Sequence, residues 1–338
     1  SGSRLCAILL CIIIALHILW HKQSINSVNQ YEWMNHNRDA RKLVQPDKNT
    51  TLLGPTPADC HNKLQLLLLV PSAPNNGEMR QAIRDTWGNV SPKSYTRLLF
   101  FLGLQDQGIK DSVLSEAQVH NDIVVENFID AYENLTLKTI FMLKWTMQHC
   151  NSVPFYLKTD DDMLINVRRL LQELSKKYNP NGAFVMGRIQ SGATPYRQQS
   201  SKWYLPESLY EPSVLPTFAS GTGYVITRKA LPEIYLGALD TPLIPLEDVF
   251  LTGLVANQKL GIPLISLEGF HNSKPLFIDH PCLYHPHLTL HELTPTQMRR
   301  TWSVLLNIKS KDCDSTLTRI LIYLFGIGEY DFNTNVTW

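Results

Sequence analysis

Residues 64–70 read LQLLLLV, apolar at every position but Gln65. A strand made from such a run presents apolar side chains to both of its faces. That suits a parallel strand covered by helices on both sides better than an antiparallel strand with one wet face. Pro71 closes the run. Further short apolar runs follow at 97–104, 122–125 and 155–158. Between them lie helical patterns at 80–87, 110–120, 137–150 and 167–178, the third of them amphipathic. Strands and helices in alternation predict an α/β fold with a mostly parallel central sheet. Ligands of such folds bind beyond the carboxyl ends of the strands.

Lys and Arg total 31 against 30 Asp and Glu, so there is no excess of positive charge for a phosphate backbone, and nucleic acid is not an expected partner. The amino-terminal segment 5–20, LCAILLCIIIALHILW, is nearly pure hydrocarbon and as a helix would span roughly 24 Å. It ends on Trp20-His21-Lys22 without a small-residue cleavage site, which favours a retained signal anchor over a cleaved signal peptide. Residues 1–22 are therefore read as a short tail and transmembrane anchor. Residues 23–63, polar and carrying Pro46, Pro55 and Pro57, are read as a stem. Asn49, Asn89, Asn134 and Asn335 each open an N-x-[ST] sequon and together point to a lumenal domain. Asn134 has an alternative reading as a helix cap. Cys60, Cys150, Cys282 and Cys313 form no CxxC pair; two disulfides, with three possible pairings, compete with four buried thiols.

The chemistry concentrates where the fourth apolar run ends, at Asp160-Asp161-Asp162. Three adjacent carboxylates repel, and a hard divalent cation such as Mn²⁺ or Mg²⁺ removes that cost. In extended backbone Asp160 and Asp162 face the same way. The alternative is a solvated acidic loop, which the strand-end placement argues against. No glycine-rich phosphate loop occurs, so phosphates would fall to the metal and to basic side chains. Arg80 and Arg84 lie one helical turn apart and read equally well as a phosphate clamp or as a salt-bridged helix face. Glu247-Asp248 precedes an apolar helical run at 249–255, where a carboxylate could serve as a general base or simply cap the helix. Gly221 and Gly223 allow either a close backbone approach to a ligand or a tight strand entry. His291, at the end of a short apolar run, could complete a metal shell.

These segments resemble the β1,3-galactosyltransferase and β1,3-N-acetylglucosaminyltransferase family of Golgi type II enzymes. The matching stretches are RQAIRDTWG (80–88), ENFIDAYENLTLKT (126–139), FYLKTDDDMLIN (155–166), SKWYLP (201–206), SGTGYVIT (220–227) and EDVFLTG (247–253), with a weaker match from Cys282 through His291 to Trp302. They stand in family order. The resemblance implies a GT-A-like fold over 64–313, with 314–338 a carboxyl-terminal extension. It implies a Golgi membrane protein with a lumenal catalytic domain, inversion at the anomeric carbon, a UDP-sugar donor with Mn²⁺, and a glycan acceptor on glycoprotein or glycolipid. By the same resemblance Asp248 is the catalytic base and Asp162, Asp160 and His291 the metal ligands. Arg80, Arg84, Lys158, Asp161 and Arg197 fall to the donor. Trp203, Gly221, Gly223 and Glu247 fall to the acceptor or donor pocket. Galactose from UDP-galactose onto the 3-hydroxyl of a terminal GlcNAc or GalNAc is the expected transfer. UDP-GlcNAc as donor is the alternative, and an inactive lumenal carbohydrate-binding protein or a hydrolase are more distant ones. Ala219 stands where the family usually has cysteine, so the family's disulfide pattern does not carry over.

Overall fold

A computed structural model describes residues 37–56, 60–89, 95–105, 108–272, 282 and 287–307. The apolar segment 5–20, Asn335, Cys313 and the extension 314–338 lie outside the described residues. No described helix is long and apolar enough to cross a membrane.

The strands are β1 (Thr51–Leu53), β2 (Leu66–Pro71), β3 (Thr96–Leu104), β4 (Ile123–Ile129), β5 (Phe155–Thr159), β6 (Leu164–Ile165), β7 (Val185–Gln190), β8 (Phe218–Thr227), β9 (Leu264–Ser266) and β10 (Thr289–Leu290). The helices are α1 (Ala40–Val44), α2 (Gly77–Asp85), α3 (Asp111–His120), α4 (Leu135–His149), α5 (Val167–Lys177), α6 (Ala230–Leu239), a π-helix (Val249–Lys259) and α7 (Pro295–Asn307). The main sheet runs β1-β4-β3-β2-β5-β8-β7-β9. Its centre, β4-β3-β2-β5, is parallel; β1 and β8 are antiparallel to their neighbours. A mixed α/β fold around a mostly parallel sheet is therefore what this sequence makes.

Alternation along the central strands explains the layering. Leu67 and Leu69 of β2, Leu99 and Phe101 of β3, Val124 of β4 and Tyr156 of β5 enter one core, shared with α4, α6 and the π-helix. Leu66, Leu68 and Val70, Phe100 and Leu102, Ile123 and Val125, and Phe155 and Leu157 enter the other, shared with α2, α5 and α7. Helices on both faces keep all six β2 positions from solvent.

Two sequence expectations change. Helix α4 is not amphipathic: every residue from 136 to 146 is buried, because the sheet covers one side and α1 and α6 the other. Its lysines are satisfied internally. The Lys144 ammonium donates to the carbonyls of Val44, Gln45 and Lys48 at 3.1, 3.0 and 2.7 Å. The Lys138 ammonium reaches Asp130 at 2.7 Å and the Ser72 carbonyl at 2.9 Å. The second change concerns the stem, whose later part packs onto the domain. Ala40 and Val44 join the core, β1 pairs with β4, and Arg38 donates to the Leu243 carbonyl. Cys60 is disulfide-bonded to Cys150, and Cys282 is also in a disulfide.

Candidate active site

Strands β2, β4 and β5 run parallel, so Ser72, Asp130 and Asp160, each just past a strand end, gather at one edge of the sheet. Three sequence-adjacent aspartates there do three different things. Asp161 turns toward β2: the Ser72 hydroxyl and the Asn76 amide donate to it at 2.7 and 2.9 Å. Burial raises its pKa against the opposing pull of those two donors. Asp160 and Asp162 lie with His291 so that one ligand atom from each falls within 4.8 Å of the others. His291 arrives through the β6–β10 pair, in which Leu290 sits opposite Leu164.

The donor set fits a cation. The buried Asp162 Oδ1 has no hydrogen-bond partner among the described residues, and the other carboxylate oxygen lies 3.4 Å from His291 Nε2. The Asn272 carbonyl can only accept, so His291 Nδ1, 3.0 Å away, must be the donor. Nε2 is thereby left toward the carboxylates, the orientation metal-binding histidines adopt. Burial lowers the His291 pKa, but the bond to Asp162, the charges of Asp162 and Asp160 and the Asn272 carbonyl together outweigh it, and the net shift is upward. A hard cation with carboxylate and imidazole ligands is the class this set would hold.

The second acidic pair stands at the start of the π-helix. Asp248 is half-buried and accepts two backbone N–H groups, from Gly221 at 2.9 Å and Val249 at 2.8 Å. Its pKa is raised by burial, with those two donors opposing. The cap reading of this residue is realised in its bond to Val249 N–H, and the same carboxylate reaches across to Gly221 of β8. Glu247 is fully enclosed and takes the Tyr224 hydroxyl at 2.5 Å.

A short path joins the two acidic groups. Lys158, 1 % exposed, places its ammonium 2.7 Å from Asp160 Oδ1 and 2.6 Å from the Gly221 carbonyl oxygen. Gly221 then gives its N–H to Asp248. The antiparallel pairing of β8 with β5, Gly223 opposite Thr159, carries Gly221 just past the strand end where Asp160 lies. Asp160 and Asp248 are therefore joined through Lys158 and Gly221.

The remaining predicted residues lie around this site. Arg80, 1 % exposed, pairs with Glu116 at 2.6 Å and donates to the Ser72 hydroxyl at 3.1 Å, so it reaches the site through Ser72 and Asp161. Arg84 is bound to Asp122 and Glu116, one turn further out. Arg197 pins the loop between β7 and β8 by donating to the carbonyls of Leu205 and Pro212 at 2.7 and 2.9 Å. Trp203 of that loop is 43 % exposed and 5.4 Å from the Tyr196 ring. Asn49 and Asn89 are exposed; Asn134 caps nothing and instead donates to the Ile129 carbonyl. Sequence reasoning missed Ser72, Asn76, Tyr224 and Asn272. Of these, Ser72 and Asn76 carried a usable signal, their place just after a buried strand.

Residues 78–268 match the sequence model of the galactosyltransferase family. The chain belongs to that family. As a galactosyltransferase-family member it is a hexosyltransferase. β1,3-Galactosyltransferase 1 of mouse and of human are each 35 % identical to it over 262 residues, covering 76 % of this chain and 79 % of theirs. Human β1,3-galactosyltransferase 2 is 31 % identical over 265 residues, covering 76 % of this chain and 62 % of its own. Among solved structures, mouse xyloside xylosyltransferase 1 in its apo form is similar with a TM-score of 0.36 at 10 % identity, over 68 % of this chain and 97 % of that one.

Proposed function

We propose that this chain is an inverting β1,3-galactosyltransferase of GT-A-like fold. It would move galactose from UDP-galactose to the 3-hydroxyl of a terminal GlcNAc or GalNAc on a glycoprotein or glycolipid. Its setting would be the Golgi lumen, with the segment 5–20 as membrane anchor. The names of the relatives supply the sugar and the linkage. The observation that carries the mechanism is the path Asp160–Lys158–Gly221–Asp248, which joins a candidate cation site to a candidate base.

Asp160, Asp162 and His291 are the residues to hold Mn²⁺ or Mg²⁺. A bound cation there would offset the negative charge gathering on the departing diphosphate. Asp248 takes the proton of the acceptor 3-hydroxyl as that oxygen bonds to the anomeric carbon and the bond from that carbon to the UDP oxygen breaks. Attack from the face opposite UDP turns an α-linked donor into a β-linked product. The backbone N–H groups of Gly221 and Val249 aim the Asp248 carboxylate, and its burial strengthens it as a base.

The test is UDP release from UDP-galactose and UDP-GlcNAc, each with GlcNAc-ended and galactose-ended acceptors, with the linkage of the product read by NMR. UDP-galactose with the GlcNAc-ended acceptor should give the fastest turnover and a β1,3 product. Preference for UDP-GlcNAc would move the assignment to N-acetylglucosaminyl transfer. Absence of UDP release with every pair would end it.

A further inference from the structure

An ammonium has three hydrogens to donate. Two of those of Lys158 are placed within the protein, on Asp160 Oδ1 at 2.7 Å and the Gly221 carbonyl at 2.6 Å, and Glu247 Oε2 lies 3.4 Å away as an ion-pair partner. The side chain is sealed from solvent by the surrounding protein. Its position is unusual for another reason. On one side it touches a carboxylate of the candidate cation site. On the other it touches the residue that holds Asp248 and the residue that precedes Asp248. Glu247 is itself anchored by the buried hydroxyl of Tyr224. A single buried cation is thus shared by both halves of the site.

We propose that Lys158 is a positioning residue that locks the Asp248 segment to Asp160, and that it does so at the expense of cation affinity. The proposal rests on the reading of Asp160 as a metal ligand and Asp248 as the base. It carries two effects of opposite sign. The ammonium draws on the negative charge of the Asp160 carboxylate and repels a divalent ion beside it, so removing it favours cation binding. The same removal deprives the Gly221 carbonyl and Glu247 of their common anchor, so Asp248 loses its orientation and turnover slows. A lysine that merely supported the fold would, when lost, weaken both.

Lys158→Met alone leaves Glu247 buried without its cation, so Lys158→Met with Glu247→Gln is made beside it to remove both charges together. Melting temperature establishes folding, and where the single variant fails to fold the double one carries the test. Mn²⁺ affinity is measured calorimetrically on the whole chain without donor, and kcat and KM for UDP-galactose are measured separately. The expected result is Mn²⁺ bound several-fold more tightly than by wild type, with kcat lowered on the order of 100-fold. KM for the donor should change far less than kcat. Weaker Mn²⁺ binding by the folded variant, or an unchanged kcat, overturns the proposal. Failure of the wild-type chain to bind Mn²⁺ at all overturns instead the reading of the metal site on which it stands.

Discussion

Burial raises the pKa of Asp248, and the raised value has a visible consequence for turnover. In the proposed role Asp248 acts as the carboxylate, so activity should be lost as pH falls through its pKa. The acid limb of kcat/KM should therefore lie above the ordinary aspartate value of about 4. Glu247 is also raised by burial, and the variants separate the two: Glu247→Gln keeps the limb if Asp248 is the base. Asp248→Asn keeps the shape of the side chain but only one acceptor oxygen, so it can take the N–H of Gly221 or of Val249 and not both, and it has no basicity. It should retain UDP binding by calorimetry while transfer falls by about 10²- to 10⁴-fold, the usual worth of a general base. Near-normal turnover in that variant would remove Asp248 from the role. Asp162 makes a different prediction, since one of its oxygens is buried without a partner among the described residues. Asp162→Ala should abolish Mn²⁺-dependent UDP binding with little loss of thermal stability, because relief of the repulsion among the clustered carboxylates offsets the lost contact with His291. At this scale the sequence announced the aspartates but not their division of labour. Adjacent residues of a turn point in different directions, and only the contacts of Ser72 and Asn76 with Asp161 reveal which carboxylate faces away from the cation set.

At the scale of elements, the site depends on how closely β8 approaches the π-helix. A Cβ on Gly221 would lie 3.2 Å from Asp248 Oδ2 and 3.3 Å from its Cβ and Cγ. That is tight enough to displace the carboxylate by a few tenths of an ångström without breaking the strand. Gly221→Ala should lower kcat about tenfold or more while costing roughly 1 kcal/mol of stability; a variant with full kcat would show that the approach is not needed. The glycine was visible in the sequence, but its partner was not, because β8 and the π-helix are linked by no local pattern. The parallel strands were legible for the opposite reason. A run such as LQLLLLV at 64–70 is decided by its own burial on two faces, and β2 forms at Leu66–Pro71. Burial around a helix is less readable: Lys138 and Lys144 gave α4 a polar stripe in sequence, and both are spent on buried backbone carbonyls. Lys158 misleads in the same way, a charged residue at the end of an apolar strand whose partners come from β8 and from the segment before the π-helix.

For the molecule as a whole, the amino-terminal part of the described chain is held to the domain from three directions. α1 enters the core, β1 extends the sheet at its β4 edge, and Cys60 is bonded to Cys150 at the far end of α4. The last of these closes a loop of 90 residues in sequence. Such a cross-link acts mainly by restricting the unfolded chain, and by loop-closure entropy one of this length contributes about 4 kcal/mol. Cys150 precedes β5, whereas the candidate site lies where β5 ends, so the disulfide and that site are at opposite edges of the sheet. Replacing both cysteines, Cys60→Ser with Cys150→Ser, should therefore separate stability from function. The melting temperature should fall by about 10 °C, the shift that loss implies for a domain of this size. KM for UDP-galactose and kcat at 25 °C should stay within about twofold of wild type, since no contact of Asp248, Asp160 or His291 passes through either cysteine. A collapse of kcat at a temperature where the variant is fully folded would show instead that strain at the amino edge of the sheet reaches the candidate site through β5, the strand that carries Lys158.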